Sequence, residues 1–101
     1  MKPYRLTPAA EDDLFQIWIS IAHDNVTAAD RLEAEIFAAC ARLADWPGLG
    51  HFRTDLTDKP VRFFPVRGTY LIVYDDHSAP LNIVRVQHGA RDVQAELEAG
   101  N

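Results

Sequence analysis

A single cysteine, Cys40, in 101 residues leaves no partner for an internal disulfide. Neither it nor His23, His51, His77 and His88 falls into a paired ligand spacing, so a structural zinc is excluded and no metal or cofactor is expected. No apolar run approaches the length of a membrane span, and Glu11, Asp12 and Asp13 interrupt the stretch where a secretory leader needs its apolar core. The cytoplasm is therefore the expected compartment, where a lone thiol stays reduced. Cations are scarce too. Ten Lys and Arg stand against fifteen Asp and Glu, a net charge of −5, which argues against a protein that grips polyanions along its whole surface. Repeats, low-complexity stretches and linkers are missing, and the length suits one domain.

What is present is strongly periodic. Thr7-Pro8 opens a helix, because Thr is a preferred cap, Pro loses no needed N–H at the first helical position, and Glu11, Asp12 and Asp13 favour the positive end of the dipole. Its apolar stripe is Ala10, Leu14, Ile17, Trp18 and Ile21, with Phe15 and Ile19 expected to widen the buried face. Asn25-Val26-Thr27 interrupts that pattern. Thr27 with Asp30 reads as a capping-box variant that starts a second helix, whose stripe is Ala29, Leu32, Ile36, Ala39, Cys40, Leu43 and Trp46, and Pro47-Gly48 ends it. Two helices joined so tightly must fold back as an antiparallel hairpin.

From Gly50 the period changes to that of strands. Three apolar runs, Val61 to Val66, Tyr70 to Tyr74 and Leu81 to His88, with short turns between them, predict an antiparallel meander. Tyr4-Arg5-Leu6 is a fourth strand at an edge, and Asp92 to Leu97 forms a short terminal helix. The fold class expected is α+β: an N-terminal strand, a helical hairpin packed on a small antiparallel sheet, and a short C-terminal helix.

Charge is unevenly spread. Residues 1 to 58 have five Lys and Arg against ten carboxylates, residues 59 to 91 five against two, and residues 92 to 101 three carboxylates alone, so the sheet is the electropositive part. Arg62, Arg67, Arg85 and Arg91 lie on or beside the strands with Tyr70, Tyr74 and His88, a set able to hold a phosphate or carboxylate. Tyr70 and Tyr74, four apart on a strand, share a face. No nucleophile or carboxylate pair is recognisable around His88, and a lone His defines no reaction.

The opening Tyr4-Arg5-Leu6-Thr7-Pro8-Ala9-Ala10 with Asp13-Leu14 and Ile17-Trp18 is one of four segments that occur in a familiar order. The others are Leu43-Ala44-Asp45-Trp46-Pro47-Gly48-Leu49-Gly50 with Arg53, the strand Tyr70 to Tyr74, and the closing Arg85-Val86-Gln87-His88-Gly89-Ala90-Arg91-Asp92-Val93. Together they resemble the ParE branch of the RelE/ParE toxin superfamily, nearly end to end. The resemblance implies a toxin of a type II toxin–antitoxin module. Toxins similar to ParE inhibit DNA gyrase by protein contact, whereas those similar to RelE are ribosome-dependent mRNA endonucleases. If this chain were such a nuclease, Arg62, Arg85, His88 and Arg91 would carry it. The acidic, non-aromatic end Glu96 to Asn101 departs from the nuclease pattern, and the overall charge repels ribosomal RNA.

The resemblance therefore implies a non-enzymatic gyrase inhibitor, with Arg67, Arg85, His88 and Arg91 as target contacts. A third implied possibility is an inactive module that acts only with its antitoxin in operon autoregulation. The partner implied is a cognate antitoxin, a disordered segment that folds onto the toxin to give a hetero-oligomer, with no direct DNA binding by the toxin alone and no membrane. A sheet apolar on both faces leaves one face open beyond the hairpin, so Tyr70, Ile72, Tyr74, Val84 and Val86 are the antitoxin-binding candidates.

Overall fold

Thr7 does what its residue type predicts and something more. Its hydroxyl oxygen accepts the Ala10 N–H at 3.1 Å, which caps the helix α1 (Pro8–Ala22). The same hydroxyl donates to Val84 O at 2.7 Å, and the Thr7 N–H donates to Ile83 O at 3.0 Å, fixing the helix start to the sheet. The computed structural model describes residues 2–89, in which α1 follows β1 (Tyr4–Leu6). After it come α2 (Val26–Asp45), a 3-10 turn (Pro47–Leu49), β2 (His51–Phe52), β3 (Arg62–Val66), β4 (Tyr70–Asp75) and β5 (Leu81–His88). The terminal helix expected over Asp92 to Leu97 lies outside the described residues.

The cap of the second helix lies two residues before the expected one. Asn25, not Thr27, is the N-cap: its side-chain oxygen accepts the Ala28 N–H at 3.0 Å, and Thr27 sits within the first turn. Asp30 accordingly makes no capping box and accepts the Trp18 indole N–H at 2.9 Å, tying the two helices together.

The strands run β1-β5-β4-β3-β2. The antiparallel meander β3-β4-β5 is as the turns predicted, with Val66 opposite Tyr70 across the three-residue turn Arg67-Gly68-Thr69, in which Arg67 and Gly68 both have positive φ. The edge strand β1 pairs parallel to β5, Tyr4 opposite Leu81 and Leu6 opposite Ile83, so the sheet is mixed. The two-residue strand β2 was invisible to periodicity, since two residues show no alternation. A register shift at Val73/Tyr74 puts an extra residue into β5, which lets Ile83 and Val86, three apart, both face the hairpin.

Leu14 from α1 and Leu32, Ile36, Cys40 and Leu43 from α2 close one sheet face against Ile72, Tyr74, Ile83 and Val86. The opposite face is not left open as expected. The loop between β2 and β3 folds back over it, bringing Leu56 and Val61 onto Phe63 and Val73, with Leu71 packed alongside. Three expected core residues are on the surface instead: Phe15 is 54% exposed, Ile19 45% and Trp46 69%. The side of α1 that meets the core carries Ala10, Leu14, Ile17 and Ile21, so the wider stripe faces solvent.

Candidate interaction surfaces

The first arginine of interest belongs to the seam between α1 and β5. Because β1 pairs with Leu81–Ile83, the outer edge of β5 beyond Ile83 has no strand neighbour among the described residues, and α1 lies along it. Asp13 fills the gap. Its carboxylate accepts the Val86 N–H at 3.0 Å and the Gln87 side-chain amide at 3.1 Å, and takes Arg85 in a bidentate pair, Nε at 2.7 Å and the terminal nitrogen at 2.8 Å. Both charged side chains are largely buried. Arg85 is therefore a joint between helix and sheet. The sequence offers Asp13 only as a dipole-favourable acid, yet in the structure Glu11 is the acid of the first turn and Asp13 stands beyond it; the role of Asp13 is not legible in the sequence, since its partners lie more than seventy residues away.

Arg62 is engaged in a second structural cluster. Its Nε donates to Asp76 at 2.6 Å, a terminal nitrogen donates to Gly50 O at 3.0 Å, and the guanidinium lies 4.3 Å from the Phe52 ring centroid. Beside it Tyr74, fully buried, accepts the Gly50 N–H at 2.8 Å and donates to Pro47 O at 2.6 Å. The Pro47-Gly48-Leu49-Gly50 segment is thus fastened to the sheet by one phenol and one guanidinium. The Arg62 hydrogen bond holds the Asp76 carboxyl below its ordinary range, outweighing burial, with His77 and the Arg62 charge adding to the effect. A carboxyl whose value is lowered by folding stabilises fully above its unfolded value, near 4, and loses that contribution as pH falls through the folded value. Denaturant unfolding between about pH 5 and about pH 3 should therefore show stability falling with acid, and Asp76→Asn should flatten the slope. An unchanged slope in the variant would remove Asp76 from the account.

Arg67 pairs with Glu35 at an exposed site on the hairpin. His88 stands edge-on to Tyr70, centroids 5.2 Å apart, at the mouth of a cleft of about 290 Å³ lined by Gln16, Ile17, Ser20, Ile21, Tyr70 and His88. Arg62 is opposite Tyr74 and His88 opposite Tyr70, four residues apart along β4, or about 13 Å. Arg62, Arg85 and His88 do not converge, and Arg91 lies outside the described residues. Burial pushes the Cys40 thiol up to about 12, which makes it an inert core residue. Among the described residues, one group with metal-ligand types close together is Asp75, Asp76 and His77, ligand atoms within 4.8 Å. Asp76 there is already bound by Arg62 through Oδ2, and His77 Nδ1 lies 2.7 Å from its Oδ1.

The model of the family described as ParE toxin of the type II toxin–antitoxin system parDE matches residues 4–93. The chain belongs to the ParE toxin family. No curated protein matches it. The family match spans every element described, and the paired arginines, the Tyr74 tether and the helical hairpin are the ParE-family chain's framework in this sequence.

Of the five expected antitoxin contacts, Ile72, Tyr74 and Val86 are core side chains facing the hairpin, with no more than 1% of their surface accessible. A partner cannot reach them in this conformation. Tyr70 borders the cleft and Val84 is half-buried, so these two stay on the surface. The exposed apolar area of the ParE-family chain lies elsewhere. Phe15 and Ile19 project from α1, Val26 opens α2, and Trp46, Leu49 and Phe52 surround the tethered Pro-Gly loop. None of the described helices is long and apolar enough to cross a membrane.

Proposed function

We propose that this ParE-family chain is a cytoplasmic toxin that acts by protein contact, inhibiting DNA gyrase when free and silenced when its cognate antitoxin covers its exposed apolar surface. What supports a contact mechanism over RNA cleavage is the fate of the arginines: Arg62 and Arg85 are each held by a carboxylate inside the fold. A guanidinium so bound serves packing, and an attack on a phosphodiester needs acid, base and cation around one reacting atom. The family assignment supports the toxin role and implies the antitoxin partner. The chain's net negative charge supports a toxin that does not bind DNA alone.

The deciding experiment is purified toxin with gyrase. Loss of supercoiling together with gyrase-dependent DNA breaks is expected, reversed by the antitoxin, while translating extracts show no new mRNA 5′ ends. Intact supercoiling and no breaks, with the toxin folded, would overturn the proposal, and new 5′ ends abolished by His88→Ala would replace it with the nuclease reading.

A further inference from the structure

Phe15 and Ile19 stand one turn apart on the solvent side of α1, and Val26 follows just past its end, all three about half exposed. The charge around them has one sign. From Pro8 to Asp30 there are five carboxylates and no Lys or Arg. Asp13 is neutralised by Arg85, but Glu11, Asp12, Asp24 and Asp30 remain at the surface, and the next two charges on α2, Arg31 and Glu33, cancel. An apolar stripe on an acidic helix selects its occupant. Nucleic acid and anionic lipid surfaces are repelled, a second copy would bring like charges together, and the chain's own residues 92–101 carry three carboxylates and no cation.

We infer that this face of α1 seats a cationic amphipathic segment of another protein, its apolar residues on Phe15 and Ile19 and its Lys or Arg against Glu11, Asp12, Asp24 and Asp30. The inference rests on the reading of the chain as a toxin held by a partner, and it gives that partner's segment a charge and a periodicity: apolar residues at i, i+3 or i+4, and i+7.

The test uses the full chain carrying Trp46→Phe, which leaves Trp18, on the same helix and partly buried, as the only tryptophan. The probes are two designed helical peptides with the same leucine stripe, one flanked by lysines and one by glutamates. Trp18 fluorescence should report binding of the lysine peptide, at least about tenfold tighter than the glutamate one and weakening about tenfold as salt rises past the screening range. Phe15→Ser with Ile19→Ser, both exposed positions, should abolish it, and Asp12→Lys with Asp24→Lys should invert the preference. Equal affinity for the two peptides, or binding indifferent to the serine pair, would overturn the inference, as would a dimer that the serine pair dissociates. Failure here with gyrase inhibition intact sinks only the α1 assignment; peptide binding without any effect on gyrase sinks the functional reading instead.

Discussion

Asp13→Ala is expected to lower the stability of the fold by about 3 kcal/mol, close to what breaking a buried pair costs. The carboxylate serves four donors at once: both nitrogens of the Arg85 fork, the Val86 N–H and the Gln87 amide. Its loss leaves the Val86 N–H on a sheet edge with no strand beside it among the described residues, and takes from Arg85 its bidentate partner in a largely buried seam. For a domain of this size that corresponds to a fall in Tm on the order of 10–20 °C. Asp13→Asn keeps an acceptor for Val86 and removes the charge, so it should lie between the two. A double-mutant cycle with Arg85→Met should return a coupling of about 1–3 kcal/mol, since the two side chains share one network. An Asp13→Ala protein within about 0.5 kcal/mol of the parent in denaturant unfolding would show that the seam is held by packing alone.

Gly50→Ala is the second large effect, and its cause is space rather than conformation. Gly50 has φ −78 and ψ 172, extended backbone open to any residue. A Cβ there would sit 2.6 Å from the Tyr74 hydroxyl oxygen and 3.0 Å from the carbonyl oxygen of Phe63. The phenol is fully buried and hydrogen-bonded on both sides, so it cannot swing away without giving up Gly50 N–H and Pro47 O. Overpacking and the lost hydrogen bonds together should cost about 2–4 kcal/mol. Tyr74→Phe alone strands the two backbone groups at about 1–3 kcal/mol, the same hydrogen bonds that Gly50→Ala disturbs, and it removes one of the two side-chain atoms crowding the new methyl, the ring carbon at 2.7 Å remaining. The double variant should therefore be less unstable than the sum of the singles. Gly48→Ala, where a Cβ meets nothing within 4 Å, is the control and should be close to neutral. Strict additivity of the first two substitutions would argue that they act through different contacts.

Much of the architecture was legible because it is decided within a few residues. The cap at Thr7, the stop at Pro47-Gly48, the span of β5 and the turn at Arg67-Gly68 all follow from local types and spacing, and the structure has them. The misplaced start of α2 is of the same local kind: Asn25 and Thr27 are both good caps, and only the partner N–H tells them apart. Phe15, Ile19 and Trp46 mark a different limit. Amphipathic period says how wide an apolar stripe is, but how much of it is buried depends on the breadth of the surface it meets, here one narrow sheet and one helix.

The sequence by itself determined the two helices, the strands β1, β3, β4 and β5 in their order, the antiparallel meander and the family, since each is written in periodicity, caps and turns. Tertiary structure alone decided what the charged and aromatic residues do. Asp13 meets Arg85 across 72 positions and Tyr74 reaches Pro47 across 27, and such pairs exist only once hairpin and sheet have packed. The physical reason is that a guanidinium or phenol has no preferred partner in the unfolded chain. Burial withdraws water from it, and the nearest acceptor that the packing supplies then becomes its fixed neighbour.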